Sequence, residues 1–113
     1  GQSKENNEAL GNMYIAQGQY ERALDALQGS NTNGEALAMI MTNDYAGAQK
    51  VLAAVKNPDA NTAYLQAVVA ARTKDAAAVA QNLKKAVGLD SSLKDKAKKD
   101  KEFADYEDAV NAL

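Results

Sequence analysis

The chain has 113 residues, a formal net charge of -2 and neither cysteine nor histidine, and its length fits one domain with a core of its own. Without cysteine it lacks disulfides, thiolate nucleophiles and cysteine-ligated metals, and without histidine it lacks the commonest general base and zinc ligand. The weak negative charge gives no overall attraction to nucleic acid or to an anionic membrane surface.

The apolar residues favour helices over strands. They make up 46% of the chain, are rich in alanine, and include one Phe and no Trp. Small side chains favour helices in close contact, whereas sheets prefer β-branched and aromatic residues. No run of 18 apolar residues occurs, so no segment is predicted to insert into a membrane. An all-α fold is therefore predicted.

The first helical hairpin is predicted over residues 4–28. Residues 2–7 are polar and are expected to fray, and a tight turn at residues 17–19 separates a helix over 4–17 from one over 19–28. Leu10 and Tyr14 share one helical face, and Ala23 and Leu27 share another.

Gly11 lies inside the first predicted helix. It costs about 1 kcal/mol there relative to Ala, so we expect it to allow a second helix to approach closely. Ala23 is the expected partner. Such a hairpin cannot bury its remaining apolar side alone, so it needs neighbouring hairpins.

In order and spacing, this hairpin resembles a tetratricopeptide repeat. The positions that carry the resemblance are Leu10, Gly11, Tyr14, Gly18, Tyr20, Ala23 and Leu27. The resemblance implies antiparallel helical hairpins stacked as a short right-handed superhelix, and a role in protein interaction without catalysis or cofactors.

A second unit is predicted over residues 33–56, with helices at 35–42 and 46–55. Asn43, Asp44 and Tyr45 follow its first helix as Gly18, Gln19 and Tyr20 follow the first helix of the chain. The two tyrosines lie 25 residues apart, less than the family period of about 34. The second unit is therefore shortened.

A third unit is predicted over residues 59–90, opened by Pro58 and built from helices at 61–72 and 76–87. Residues 91–113 follow as a charged segment with an apolar stripe, which predicts a polar-backed cap on the last hairpin. The sequence leaves open whether a break near Lys99 and Asp100 divides the cap into two helices. All units are assigned to one domain, 1–113, which can belong to a longer protein.

Three patterns suggest other chemistry and are better explained by helix architecture. Residues 94–101 contain five lysines but are followed at once by acids, which favours a solvated cap over a nucleic-acid site. Residues 57–61 echo a calcium loop, yet Thr62 and Val68 stand where an EF-hand needs Gly and Glu. Four aspartates recur near turns, where acidic residues stabilise the starts of helices, and this explains them better than paired catalytic carboxylates do: Asp44, Asp59, Asp75 and Asp90.

The resemblance also bears on the ligand. The best-known groove of the family holds acidic chaperone tails with basic and Asn side chains of consecutive first helices. Only Asn12 matches, because Glu8, Asn61 and Leu65 stand where basic residues are needed and Gly34 where a further Asn is needed. We therefore expect no binding of such tails.

We predict a non-enzymatic scaffold, favoured as a monomer, that binds a protein or peptide along its first helices. By resemblance, the residues that project there are Glu8, Asn12 and Ile15, then Asn33, Leu37 and Met41, then Tyr64, Val68 and Arg72. A ligand with an apolar anchor beside an acidic group complements this set best. Two alternatives stay open: Leu37, Met41 and Val68 pack together without a groove, or the chain is a structural end-segment of a longer repeat protein.

Overall fold

The computed structural model describes residues 4–113, with side chains from residue 7 onward, and contains no strand within that range. The all-α fold predicted from the sequence is confirmed. The chain divides into two compact units, Gly1–Lys56 and Asn57–Leu113, with the boundary between the second and third predicted hairpins. The fraying expected for residues 2–7 falls partly outside the described residues, and within them the first helix already begins at Lys4.

The first unit consists of two helical hairpins. Helix α3 packs against both α1 and α2, so the second hairpin is joined to the first through its leading helix. The contact is centred on Ala23, Leu27 and Ala38, with Tyr14 and Ile15 packed against them. The helices are α1 (Lys4–Ala16), α2 (Tyr20–Leu27), α3 (Asn33–Met41) and α4 (Tyr45–Ala54).

The second unit combines one hairpin with a C-terminal segment in three short pieces. Helices α5 (Ala60–Arg72) and α6 (Ala76–Leu89) form the hairpin. The segment comprises α7 (Leu93–Lys99), a 3₁₀ helix (Lys101–Tyr106) and α8 (Glu107–Asn111). Both α7 and α8 contact α6, whereas the 3₁₀ helix contacts α5. The possible break near Lys99 and Asp100 is present, because α7 ends at Lys99 and Asp100 adopts extended backbone.

The same turn closes all three hairpins. Gly18, Asn43 and Lys74 follow their helices with φ of 74°, 69° and 60°. The N–H of the next residue then donates to a carbonyl five residues back, at 2.8 Å from Gln19, 2.8 Å from Asp44 and 2.9 Å from Asp75. This pattern of a left-handed residue and a 6→1 bond is the Schellman motif. The recurrence predicted for the first two hairpins is therefore confirmed, and the third hairpin has the same turn.

Aspartate side chains cap the N-termini of three of the helices. The carboxylates of Asp44, Asp59 and Asp75 each accept a hydrogen bond from the backbone N–H three residues on. These bonds satisfy donors that the first turn of a helix leaves without partners. Asp90 differs, since it ends α6 and accepts bonds from Ser92 N–H at 3.0 Å and Ser92 Oγ at 2.7 Å.

Glu35 is a buried carboxylate that ties α3 to the turn before it. Its side chain, in a residue 3% exposed, accepts hydrogen bonds from the N–H groups of Gly29 at 2.9 Å and Asn31 at 3.0 Å. The Glu35 N–H donates in turn to Thr32 Oγ1 at 3.2 Å. The carboxylate thus satisfies two backbone donors in the turn between α2 and α3.

Gly11 is buried where α1 meets α2, as a close-contact glycine should be. A Cβ added there would lie 2.7 Å from both Cδ atoms of Leu27 and still closer to its Cγ. The nearest atoms thus belong to Leu27 and not to Ala23, the partner chosen from the sequence. The space that Gly11 leaves is filled by a leucine side chain from the facing helix.

Gly11→Ala is expected to lower the free energy of unfolding by about 1–3 kcal/mol, because the new methyl group overlaps a buried leucine. Gly88→Ala is the matched control, since Gly88 is helical and a Cβ there meets nothing within 4 Å. It is expected to raise stability by up to about 1 kcal/mol through helix propensity. Urea denaturation followed by circular dichroism checks both; equal effects of the two substitutions would contradict the packing role of Gly11.

Candidate functional site

A cleft in the first unit brings together part of the predicted binding set. Glu8 and Asn12 from α1 face Asn33 from α3 across an opening of about 260 Å³. Asn12 is exposed, and Glu8 and Asn33 are half-buried. The remaining lining residues are Leu27, Thr32 and Gly34. The opening therefore presents one carboxylate and two amides over a floor that includes one leucine.

Gly34 sets the distance between the two helices at this cleft. A Cβ at Gly34 would lie 3.0 Å from Asn12 Oδ1, 3.3 Å from Leu27 Cδ1 and 3.5 Å from Ile15 Cδ1. Those distances are tight or close to van der Waals contact, so a side chain at position 34 would push the Asn12 amide away from α3. From the sequence, Gly34 was predicted only to lack the amide side chain that an acidic-tail groove would need, and its role in spacing was not predicted.

The other predicted residues of the first unit lie outside the cleft. Ile15 is half-buried against the core cluster, and Leu37 is half-buried on α3. Met41 is 39% exposed and borders a separate opening of about 520 Å³ with Thr42 and residues 18–22. The predicted row of side chains along α1 and α3 is thus divided between two surfaces and the core.

The expectation that Tyr64 and Val68 line an open groove is wrong. Tyr64 is only 4% exposed and Val68 only 6%. The 3₁₀ helix of the C-terminal segment packs on α5, the helix that carries both residues. The cap predicted from the sequence therefore contacts the first helix of its hairpin as well as the second.

Phe103 is the centre of this cover. It is 2% exposed, and its ring meets the Tyr64 ring edge-to-face, with centroids 5.5 Å apart and planes at 88°. The Tyr64 hydroxyl donates to Asp100 Oδ2 at 2.7 Å. Lys96 Nζ lies 4.7 Å from the centre of the Tyr64 ring, a cation–π distance. The phenol is thus held by a ring, a carboxylate and an ammonium group.

Arg72 is engaged by the same segment. Its Nε donates to Glu102 Oε1 at 3.0 Å and its Nη2 donates to Glu102 Oε2 at 2.5 Å, a bidentate pair. The side chains of Arg72 and Glu102 are 24% and 28% exposed. One step further, the Tyr106 hydroxyl donates to the Ala71 carbonyl at 3.2 Å. The positive charge of Arg72, which was predicted from the sequence to bind an acidic ligand, is therefore paired with Glu102 within the chain.

The surroundings of Tyr64 make its phenol a weaker acid than an ordinary tyrosine. Burial, the hydrogen bond to Asp100 and the negative charges of Asp100 and Glu102 hold the pKa of its phenol well above the usual value. Each influence favours the neutral phenol, which is the form that donates to the carboxylate. The Tyr64–Asp100 bond is therefore maintained through neutral and mildly alkaline pH.

No family model, curated protein or solved structure matches the chain. Among the described side chains, those of residues 7–113, no group of three or more Asp and Glu residues is placed to hold a metal ion. None of the helices within residues 4–113 is both long and apolar enough to cross a membrane.

The free energy of unfolding should decrease as the pH rises above about 10, the usual pKa of tyrosine in an unfolded chain. Above that pH the unfolded chain loses the Tyr64 proton while the folded chain keeps it, so Tyr64 contributes a slope of about -1.4 kcal/mol per pH unit. Below that pH its contribution is fully present.

Tyr64→Phe is expected to remove this slope and to cost about 1–2 kcal/mol at neutral pH, because Asp100 loses its donor. Tyr20→Phe serves as the control and should keep the slope. Urea denaturation at pH 8, 10 and 11 measures all three proteins. An unchanged alkaline slope in Tyr64→Phe would refute the assignment.

Proposed function

We propose that the chain is a tetratricopeptide-like scaffold whose first unit binds a peptide segment in the cleft between α1 and α3. The observation that carries this proposal is the opening itself, where Glu8, Asn12 and Asn33 from two helices meet around Gly34. Stacked hairpins that present their leading helices on one face are the arrangement the sequence resemblance implies. No reaction and no cofactor are part of the proposal.

The chemistry of the cleft favours a polar, extended ligand. An amide side chain offers donors and an acceptor at once, so Asn12 matches the alternating N–H and C=O groups of an extended backbone. Glu8 adds a single negative charge at the same opening and favours a ligand with a basic side chain. This ligand differs from the acidic one expected from the sequence, because Arg72 is paired with Glu102 in the other unit.

The second candidate is a structural end-segment of a longer repeat protein. It is favoured by the cover on the last hairpin, where α7, the 3₁₀ helix and α8 all pack on α5 or α6. Repeat arrays need such terminal elements, because the last hairpin otherwise exposes its apolar side. A chain of this kind has no ligand in the α1–α3 cleft, so a direct binding measurement separates the two candidates.

Selection of random peptides on the full chain is expected to yield ligands with a basic residue. Asn12→Ala is expected to weaken the binding of these ligands by about fivefold or more, because the interface loses one anchor. Asn61→Ala is the matched control, since Asn61 is an exposed amide on α5 in the other unit. Fluorescence anisotropy gives the affinities.

Glu8→Lys tests the charge preference in the same assay, and we expect it to reduce binding of the basic peptides further. Failure to select any ligand, or equal affinities for Asn12→Ala and the parent chain, would favour the structural end-segment. Circular dichroism of each variant shows whether the fold is kept.

A further inference from the structure

The segment from Asp100 to Tyr106 is seated on α5 as a linear peptide ligand is seated on a receptor. The aspartate accepts from the Tyr64 hydroxyl at 2.7 Å, and Glu102 forms a bidentate pair with Arg72. Phe103 packs against the Tyr64 ring, and Tyr106 donates to a backbone carbonyl of α5 at 3.2 Å. Four side chains of a seven-residue stretch thus each have a partner on one helix.

The α5 face complements one kind of segment. It offers an aromatic ring with a hydroxyl donor, a guanidinium group eight residues further along the helix, and a carbonyl acceptor near the end of the helix. The matching pattern is Asp-x-Glu-Phe-x-x-Tyr, in which an apolar anchor directly follows an acid. Such anchors and bidentate charges are the contacts that dominate peptide recognition.

We propose that this face of α5, with Tyr64 and Arg72 at its centre, is a recognition site for acidic–aromatic peptides of a partner protein, and that residues 100–106 occupy it in the resting chain. A partner segment of the same pattern exchanges with the internal one. This site lies wholly within Asn57–Leu113, so it does not depend on the cleft between α1 and α3, and either site can fail without the other.

The local structure of the internal segment suits exchange. It is a 3₁₀ helix, whose hydrogen bonds are poorer than those of an α-helix, and Phe103 departs from helical geometry with φ of -106° and ψ of 16°. The flanking helices have their own anchors on either side, since Leu93 and Ala97 of α7 and Val110 of α8 are buried. Release of residues 100–106 therefore leaves α7 and α8 with contacts to α6.

Because residues 100–106 are tethered to α5 through the chain, a partner peptide must compete with them for the same face. An internal segment acts at an effective concentration in the millimolar range, so an external peptide with the same contacts binds the parent chain only weakly. Only molecules whose α5 face is open can bind the peptide, so its apparent affinity falls in proportion as that open fraction becomes smaller. Weakening the internal segment should therefore tighten binding of the external peptide.

The test uses the full chain and a fluorescein-labelled peptide with the sequence of residues 100–107. Phe103→Ala in the chain is expected to tighten peptide binding by about tenfold or more, because the internal competitor loses its anchor. Glu102→Ala, which keeps the buried ring, is the second variant and should tighten binding by about threefold or more. Circular dichroism and the cooperativity of urea unfolding identify the variants that remain folded.

A charge swap supplies the matched control. Adding Arg72→Glu to the Glu102→Ala chain should abolish binding of the unmodified peptide, and a peptide carrying Glu102→Arg should restore it. A peptide carrying Asp105→Arg should bind the Glu102→Ala chain as the unmodified peptide does, because Asp105 is exposed.

Three results would overturn the proposal: no binding to a folded variant, binding that ignores Arg72→Glu, or equal affinity for the parent chain and Glu102→Ala. Sedimentation of the parent chain provides a further check. A dimer that Arg72→Glu disrupts would assign the α5 face to a second copy of this chain and would contradict a partner peptide.

Discussion

The contact between Phe103 and Tyr64 determines which surface of the second unit is available. An aromatic ring that is 2% exposed and seated edge-to-face on another ring supplies burial and a defined geometry at once. It places Asp100 against the Tyr64 hydroxyl and Glu102 against Arg72, so the two polar contacts depend on the apolar one. Without it, α5 would present a tyrosine and an arginine to solvent.

The two units use the same hairpin turn and differ in what covers the leading helix. In the first unit, Gly34 brings α3 close to α1 and leaves a cleft of about 260 Å³ beside Glu8 and Asn12. In the second unit, one face of α5 is occupied by the 3₁₀ helix of the same chain. A single sequence pattern therefore supports two surfaces of opposite character, one open and polar, one filled and aromatic.

Helices and turns were predictable from the sequence because their causes are local. Apolar spacing, capping aspartates and left-handed turn residues such as Gly18 and Asn43 act within about one helical turn, and the structure has each of them. The site was predictable only in part. Asn12 is exposed beside the α1–α3 cleft, but the partners of Tyr64 and Arg72 lie 36 and 30 residues away, and periodicity carries no information about such contacts.

Proton NMR of the full chain tests the central contact most directly, because Phe103 is the only phenylalanine in the sequence and its ring signals are unambiguous once assigned. With ring centroids 5.5 Å apart, we expect nuclear Overhauser effects between the Phe103 and Tyr64 rings and ring-current shifts on both. Phe103 signals at unfolded positions, without effects to Tyr64, would contradict this contact.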